Sequence, residues 1–116
     1  MNDFFVLLKQ MISESEIIID RPKSSTHPSY PDLVYMLDYG YLKGTRSADG
    51  GGIDCWLGSR GDKNLNGIIV ILDGLKKEAE IKALIGCTDS EITAILAFHN
   101  QKQMKGILIR YETGNN

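Results

Sequence analysis

A chain of 116 residues with 42% hydrophobic and 24% charged side chains has enough apolar material for one domain with its own core, which excludes a disordered or fibrous protein. Its net charge of -2, with both signs interspersed, excludes the basic field that a nucleic-acid backbone follows. The first apolar run, 4–8, is too short to span a membrane and lacks the pattern of a signal peptide, so the expectation is a cytoplasmic protein with neither nucleic acid nor membrane as partner.

Asn2 or Asp3 can cap a short helix reaching about Ile12, with Phe4, Phe5, Leu7, Leu8 and Met11 as its apolar stripe. After the polar break 13–16, three isoleucines in 16–20 predict a short strand that ends at Asp20. The stretch 21–31 holds all three prolines of the chain together with Ser24, Ser25, Thr26 and Ser29, and reads as an irregular loop. Alternation over 35–42 predicts a half-buried strand with Tyr39 and Tyr41 on one face.

A loop with three consecutive glycines, Gly50 to Gly52, follows and leads into an apolar strand over 53–57. The run 59–66 is a polar turn, 67–72 a strand ending at Asp73, and 78–87 a strand with Glu80, Lys82 and Leu84 on one face and Ala79, Ile81 and Ala83 on the other. Thr88 and Glu91 have capping-box spacing and open an amphipathic helix to about Gln101, on whose last turn His99 reads as a helix-terminal residue. A last strand is expected over 105–112, with 113–116 frayed. Cys55 and Cys87 sit in apolar runs without metal-like spacing, as buried thiols in a reducing compartment do.

The chemistry-bearing residues concentrate between Tyr35 and Gly58. Asp49 and Asp54 frame the glycines, placed where both carboxylates can converge on a hard cation, and magnesium suits oxygen ligands of that kind. Each residue also has a plainer role: Asp49 as a turn former, Tyr35 and Tyr39 as packing residues, and Glu80 with Lys82 as a solvated pair.

At these residues the sequence resembles the soluble family I inorganic pyrophosphatases, whose signature joins a Tyr-Gly-Tyr or Tyr-Gly-Phe strand to Asp-Gly-Asp-Pro-x-Asp. Tyr39, Gly40, Tyr41, Thr45, Asp49, Gly50 and Asp54 fall in register without a gap, while Gly51 stands at the family's middle aspartate and Gly52 at its proline. Asp20, Arg21, Pro22 and Lys23 resemble the acid-x-Pro segment that opens the family's catalytic domain. The hairpin that follows there, with its arginine, is missing, which leaves Arg21, Lys23 or His27 to contact phosphate. Glu80 and Lys82 resemble the acid-x-Lys that closes the family's metal site, and Asp73 can be set against its preceding aspartate. The likeness covers 17–58 well, 67–87 faintly, and nothing after.

The resemblance implies an α+β, mainly β domain built on a small closed OB-like barrel of about five strands with flanking helices. It implies magnesium, or manganese, held by Asp49, Asp54, Glu80 and Asp73 with Asp20 at the rim, and phosphate held by Lys82, Lys23, Tyr35 and Tyr39. The expected function is hydrolysis of inorganic pyrophosphate or a related small phosphorylated compound. Gly51 can neither bind metal nor accept a proton, and so keeps a second expectation in place: a non-catalytic phosphate- and metal-binding or protein-interaction module. Self-association stays open, and a single-stranded nucleic-acid binder is the weakest of the alternatives.

Overall fold

Two helices and six strands follow one another along residues 3–111, the residues described by the computed structural model: α1 (Phe4–Glu14), β1 (Ile17–Arg21), β2 (Asp38–Leu42), β3 (Ile53–Leu57), β4 (Leu65–Asp73), β5 (Glu78–Ile85), α2 (Asp89–Phe98) and β6 (Met104–Arg110). The class is α+β and mainly β. Asn2, Glu112 and the 113–116 tail, for which the sequence suggested a cap, a strand end and fraying, lie outside the described residues.

The strands form one sheet in the order β1-β2-β3-β5-β4-β6, in which only β3 and β5 run parallel. β1 and β6 are its edges and do not pair, so the sheet is open and the expected five-stranded closed barrel is not formed. The reason lies in the central strands. Cys55 and Trp56 on β3, like Ala83 and Leu84 on β5, are adjacent residues that point to opposite faces, and all four are almost fully buried. A small barrel buries only its interior, whereas a sheet that is apolar on both faces needs a covering layer on each.

On one face α1 lays Leu8 and Ile12 over Leu42, Cys55, Ile68, Ala83 and Ile85. On the other, α2 and the 22–37 loop close over Trp56, Ile69 and Leu84 with Ile92, Ile95, Phe98, Tyr30, Leu33 and Tyr35. Most of the aromatic content lies here: Tyr35, Tyr39, Trp56 and Phe98 contact one another with ring centroids 5.0–5.4 Å apart. Burial of such rings is among the largest stabilising contributions in a domain of this size.

Local chemistry explains where the elements stop. The strand expected from Tyr35 begins only at Asp38, because the Tyr35 carbonyl accepts from Ser24 N–H and its own N–H donates to Ser25, which ties that residue to the loop. β5 ends at Ile85 because Gly86 takes φ of 63°, a left-handed turn that a side chain would strain. Thr88 and Glu91 form the expected reciprocal capping box at the start of α2. On β2, Gly40 admits β1 to close range: a Cβ there would lie 1.7 Å from the Ile18 carbonyl oxygen.

Candidate functional site

β5 enters the site from the middle of the sheet and carries Glu80 and Lys82 to the same face as Asp54 on β3, since Asp54 and Lys82 are directly paired in the parallel register. Tyr39 on β2 shares that face across β3. The Lys82 ammonium is buried and donates to the Tyr39 hydroxyl, to Asp54 Oδ2 at 3.1 Å and to Glu80 Oε1 at 3.0 Å. A buried ammonium persists only when its donors are satisfied in this way. Tyr39 is held well above the usual phenol range, first by burial and then by the charge and hydrogen bond of Asp54, so its hydroxyl keeps its proton at neutral pH.

A second cation arrives from β1. Its register against β2 passes from the Ile19–Gly40 pair directly to Arg21–Tyr39, leaving Asp20 as the extra residue of a bulge. This turns Arg21 inward, where Nη1 donates to the Tyr35 hydroxyl at 2.7 Å and the guanidinium lies within 5.8 Å of both the Tyr35 and Tyr39 ring centres. Burial also keeps Tyr35 protonated. His27 stacks on Tyr35 and accepts from Ser29 N–H at Nδ1, and burial followed by the Arg21 charge lowers its pKa.

These groups surround a polar cavity of about 220 Å³, lined by Asp20, Arg21, His27, Tyr35, Tyr39, Asp49, Asp54, Asp73, Lys76, Glu78, Glu80, Lys82 and His99, with Ile71 and Met104. The structure therefore brings together all the expected site residues except Lys23. That side chain is exposed and does not line the cavity; the residue contributes instead a backbone N–H to Asp38 Oδ1, and Arg21 holds the place. A larger, mostly apolar cleft of about 580 Å³, walled by Ile53, Val70, Ala79 and Ile81, adjoins the same acids through Asp49, Asp54 and Glu80. The polar cavity, where the charged groups converge, is the site of interest.

Asp49 and Asp73 are each engaged in their own turn. Asp49 Oδ1 accepts from the Ser47 hydroxyl and from Gly51 N–H, bonds that depress its pKa and make it a turn residue in an exposed loop. Asp73 Oδ1 accepts from the N–H groups of Leu75 and Lys76. Among the described residues, no three or more His, Cys, Asp or Glu side chains are grouped so as to hold one metal ion. Gly51 leaves room for a side chain: it lacks the positive φ of Gly50, and a Cβ would meet only Asp49 Oδ1 at 3.5 Å.

Sequence reasoning missed three polar residues of the cavity wall, Lys76, Glu78 and His99, of which the buried one is His99. It follows α2 as its C-cap and reaches the cavity wall beside Lys82 and His27. Cys55 and Cys87 are free, buried thiols, and burial pushes both up to about 12, which leaves them unreactive. Among the described residues no helix is long and apolar enough to cross a membrane. No protein-family model matches the chain, and a search of curated proteins finds no match.

Proposed function

We propose that the chain is a magnesium-dependent hydrolase of a phosphoanhydride, either inorganic pyrophosphate or a small phosphorylated compound of the same kind. The observation that carries this reading is the buried Lys82 ammonium, fixed by Asp54, Glu80 and Tyr39 on the wall of an acid-rich cavity. Lys82 and Arg21 offer basic groups to phosphate oxygens, and the protonated Tyr39 and Tyr35 hydroxyls help fix them in place. Six acidic and three basic side chains line the cavity, so the acids outnumber the bases and a metal cation favours the entry of a polyanion.

The donor chemistry fits magnesium or manganese. Lys82 bonds one oxygen of Asp54 and one of Glu80, and the other oxygen of each carboxylate takes no bond from it. Magnesium keeps several waters and is commonly held by one or two carboxylates plus substrate phosphates, so a site without a preformed three-ligand cage suits an ion that arrives with phosphate. Asp54 and Glu80 are the holders in this reading, with Asp49 and Asp73 at the margin and Asp20 at the rim. When bound, the ion neutralises phosphate charge and makes a water acidic enough to attack near neutral pH. A reducing cytoplasmic setting accords with the two free thiols.

One observation favours a second reading. Gly51 contributes no carboxylate and Asp49 is engaged in its own loop, so the same cavity can bind metal and phosphate without turnover. Phosphate release from pyrophosphate and from a panel of phosphorylated metabolites, with and without magnesium or manganese, separates the two. Metal-dependent release from at least one compound supports the hydrolase; metal-dependent binding without release supports the module.

A further inference from the structure

His99 is held from three sides. Asn100 bonds the Leu96 carbonyl through Nδ2 and both backbone groups of Gly106, which clamps the end of α2 to β6, and the Gly106 backbone packs close to His99. The third support is the indole of Trp56 on β3, whose Nε1–H donates to His99 Nε2 at 3.0 Å. An indole nitrogen can only donate, so Nε2 must be the unprotonated nitrogen, and the neutral ring carries its proton on Nδ1. That Nδ1 is buried and has no hydrogen-bond partner among the described residues, while the residue lines the polar cavity. Leaving such a donor unpaired is costly, which makes an acceptor from the cavity its natural complement.

We propose that His99 Nδ1–H is a ligand-binding donor of the cavity and takes an anionic phosphate oxygen, with Trp56 fixing the tautomer that allows it. This rests on the reading of the cavity as a phosphate site and adds to it a residue from the part of the chain that resembles no pyrophosphatase. Lys82 from β5 and, when protonated, His27 from the 22–37 loop face the ring, and burial followed by these two holds the imidazole neutral, lowering its pKa to about 3. The donor therefore stays uncharged and keeps one orientation throughout the neutral range.

The test uses inorganic phosphate and methylenediphosphonate, each with magnesium, as probes. In ¹⁵N-histidine spectra of the whole protein, the His99 resonances show the Nδ1–H tautomer, and either probe shifts Nδ1 while leaving Nε2, bound to Trp56, nearly unmoved. Two variants sharpen the result. The amide nitrogen of His99→Asn falls near the Nδ1 position and retains affinity to within about threefold. His99→Gln places its polar end near Nε2, keeps a partner for Trp56 and loses roughly ten- to a hundredfold in affinity, the usual effect of deleting one bond to a charged group. A structural role reverses that order, with His99→Gln the milder change. An Nδ1 resonance unmoved by saturating phosphate, or bonded only to water in its presence, overturns the proposal even if pyrophosphate is hydrolysed and even if both variants fail to fold. An Nδ1 shift in a protein that hydrolyses nothing upholds the His99 site while removing the hydrolase reading.

Discussion

Replacing Lys82 by methionine keeps the aliphatic stem and deletes the charge, which isolates the ammonium's role. Asp54 Oδ2 and Glu80 Oε1 each lie within 3.1 Å of the same nitrogen, so without it two carboxylates face each other across no more than about 6 Å. Their side chains are 32% and 30% exposed, which puts the pair at the protein margin, where an effective dielectric constant near 20 gives a repulsion of about 2–3 kcal/mol. In a domain of this size that corresponds to a fall in melting temperature of roughly 10 °C at neutral pH. The assay is thermal unfolding followed by circular dichroism, with Asp54→Asn added to Lys82→Met to remove one of the two charges. The double variant should recover more than half of the loss, the signature of a coupled pair. Equal melting temperatures for wild type and Lys82→Met, or no rescue in the double variant, would refute the argument that the three groups form one unit.

Four other outcomes follow from the same structure. Because the folded pKa of His99 lies below its unfolded value, the unfolded chain takes up the proton first: the stability it contributes is complete above about pH 6.5 and falls by about 1.4 kcal/mol per unit as pH drops towards 3. Denaturant melts at pH 4–7 should show that slope in the wild type and its loss in His99→Asn, which has no titrating ring. Gly51→Asp should fold with a penalty below about 1 kcal/mol, the repulsion of Asp49 in water, because neither φ nor space opposes it, and calorimetry should show tighter magnesium binding. Thr88→Ala should cost about 1 kcal/mol through loss of the α2 cap, read from a denaturant midpoint. Gly40→Ala should abolish cooperative folding, since its Cβ would overlap the Ile18 carbonyl; a native-like melt would contradict the β1–β2 register.

The local features of this protein are legible in the sequence wherever a short-range rule decides them. β3 begins and ends where its apolar run does, the faces of β5 follow strict alternation, and the Thr88 to Glu91 spacing marks the start of α2. Closure of the sheet is not of that kind, because it depends on whether β1 and β6 meet, two strands far apart in sequence. The available signal was the adjacent apolar pairs Cys55 with Trp56 and Ala83 with Leu84, which call for cover on both faces. In the site, Asp54, Glu80, Lys82 and Tyr39 were readable from alternation and motif spacing together. Arg21 faces inward because a bulge at Asp20 brings it opposite Tyr39, and no composition rule places a bulge; Lys23 falls in the turn after β1 has ended. His99 escaped notice because a histidine at a helix C-terminus already has a sufficient explanation in the helix dipole. Its partner, Trp56, lies 43 residues away.

The most direct measurement is ³¹P NMR of pyrophosphate incubated with the protein, with and without magnesium, for wild type and Asp54→Asn. The account predicts that the wild type converts the pyrophosphate resonance to that of inorganic phosphate only when magnesium is present. Asp54→Asn, which removes a carboxylate tied to Lys82, should lose at least a hundredfold in rate, about 2.7 kcal/mol of transition-state stabilisation. Conversion without magnesium, or an Asp54→Asn protein as fast as the wild type, would contradict the assignment of this cavity as a metal-dependent phosphoanhydride site.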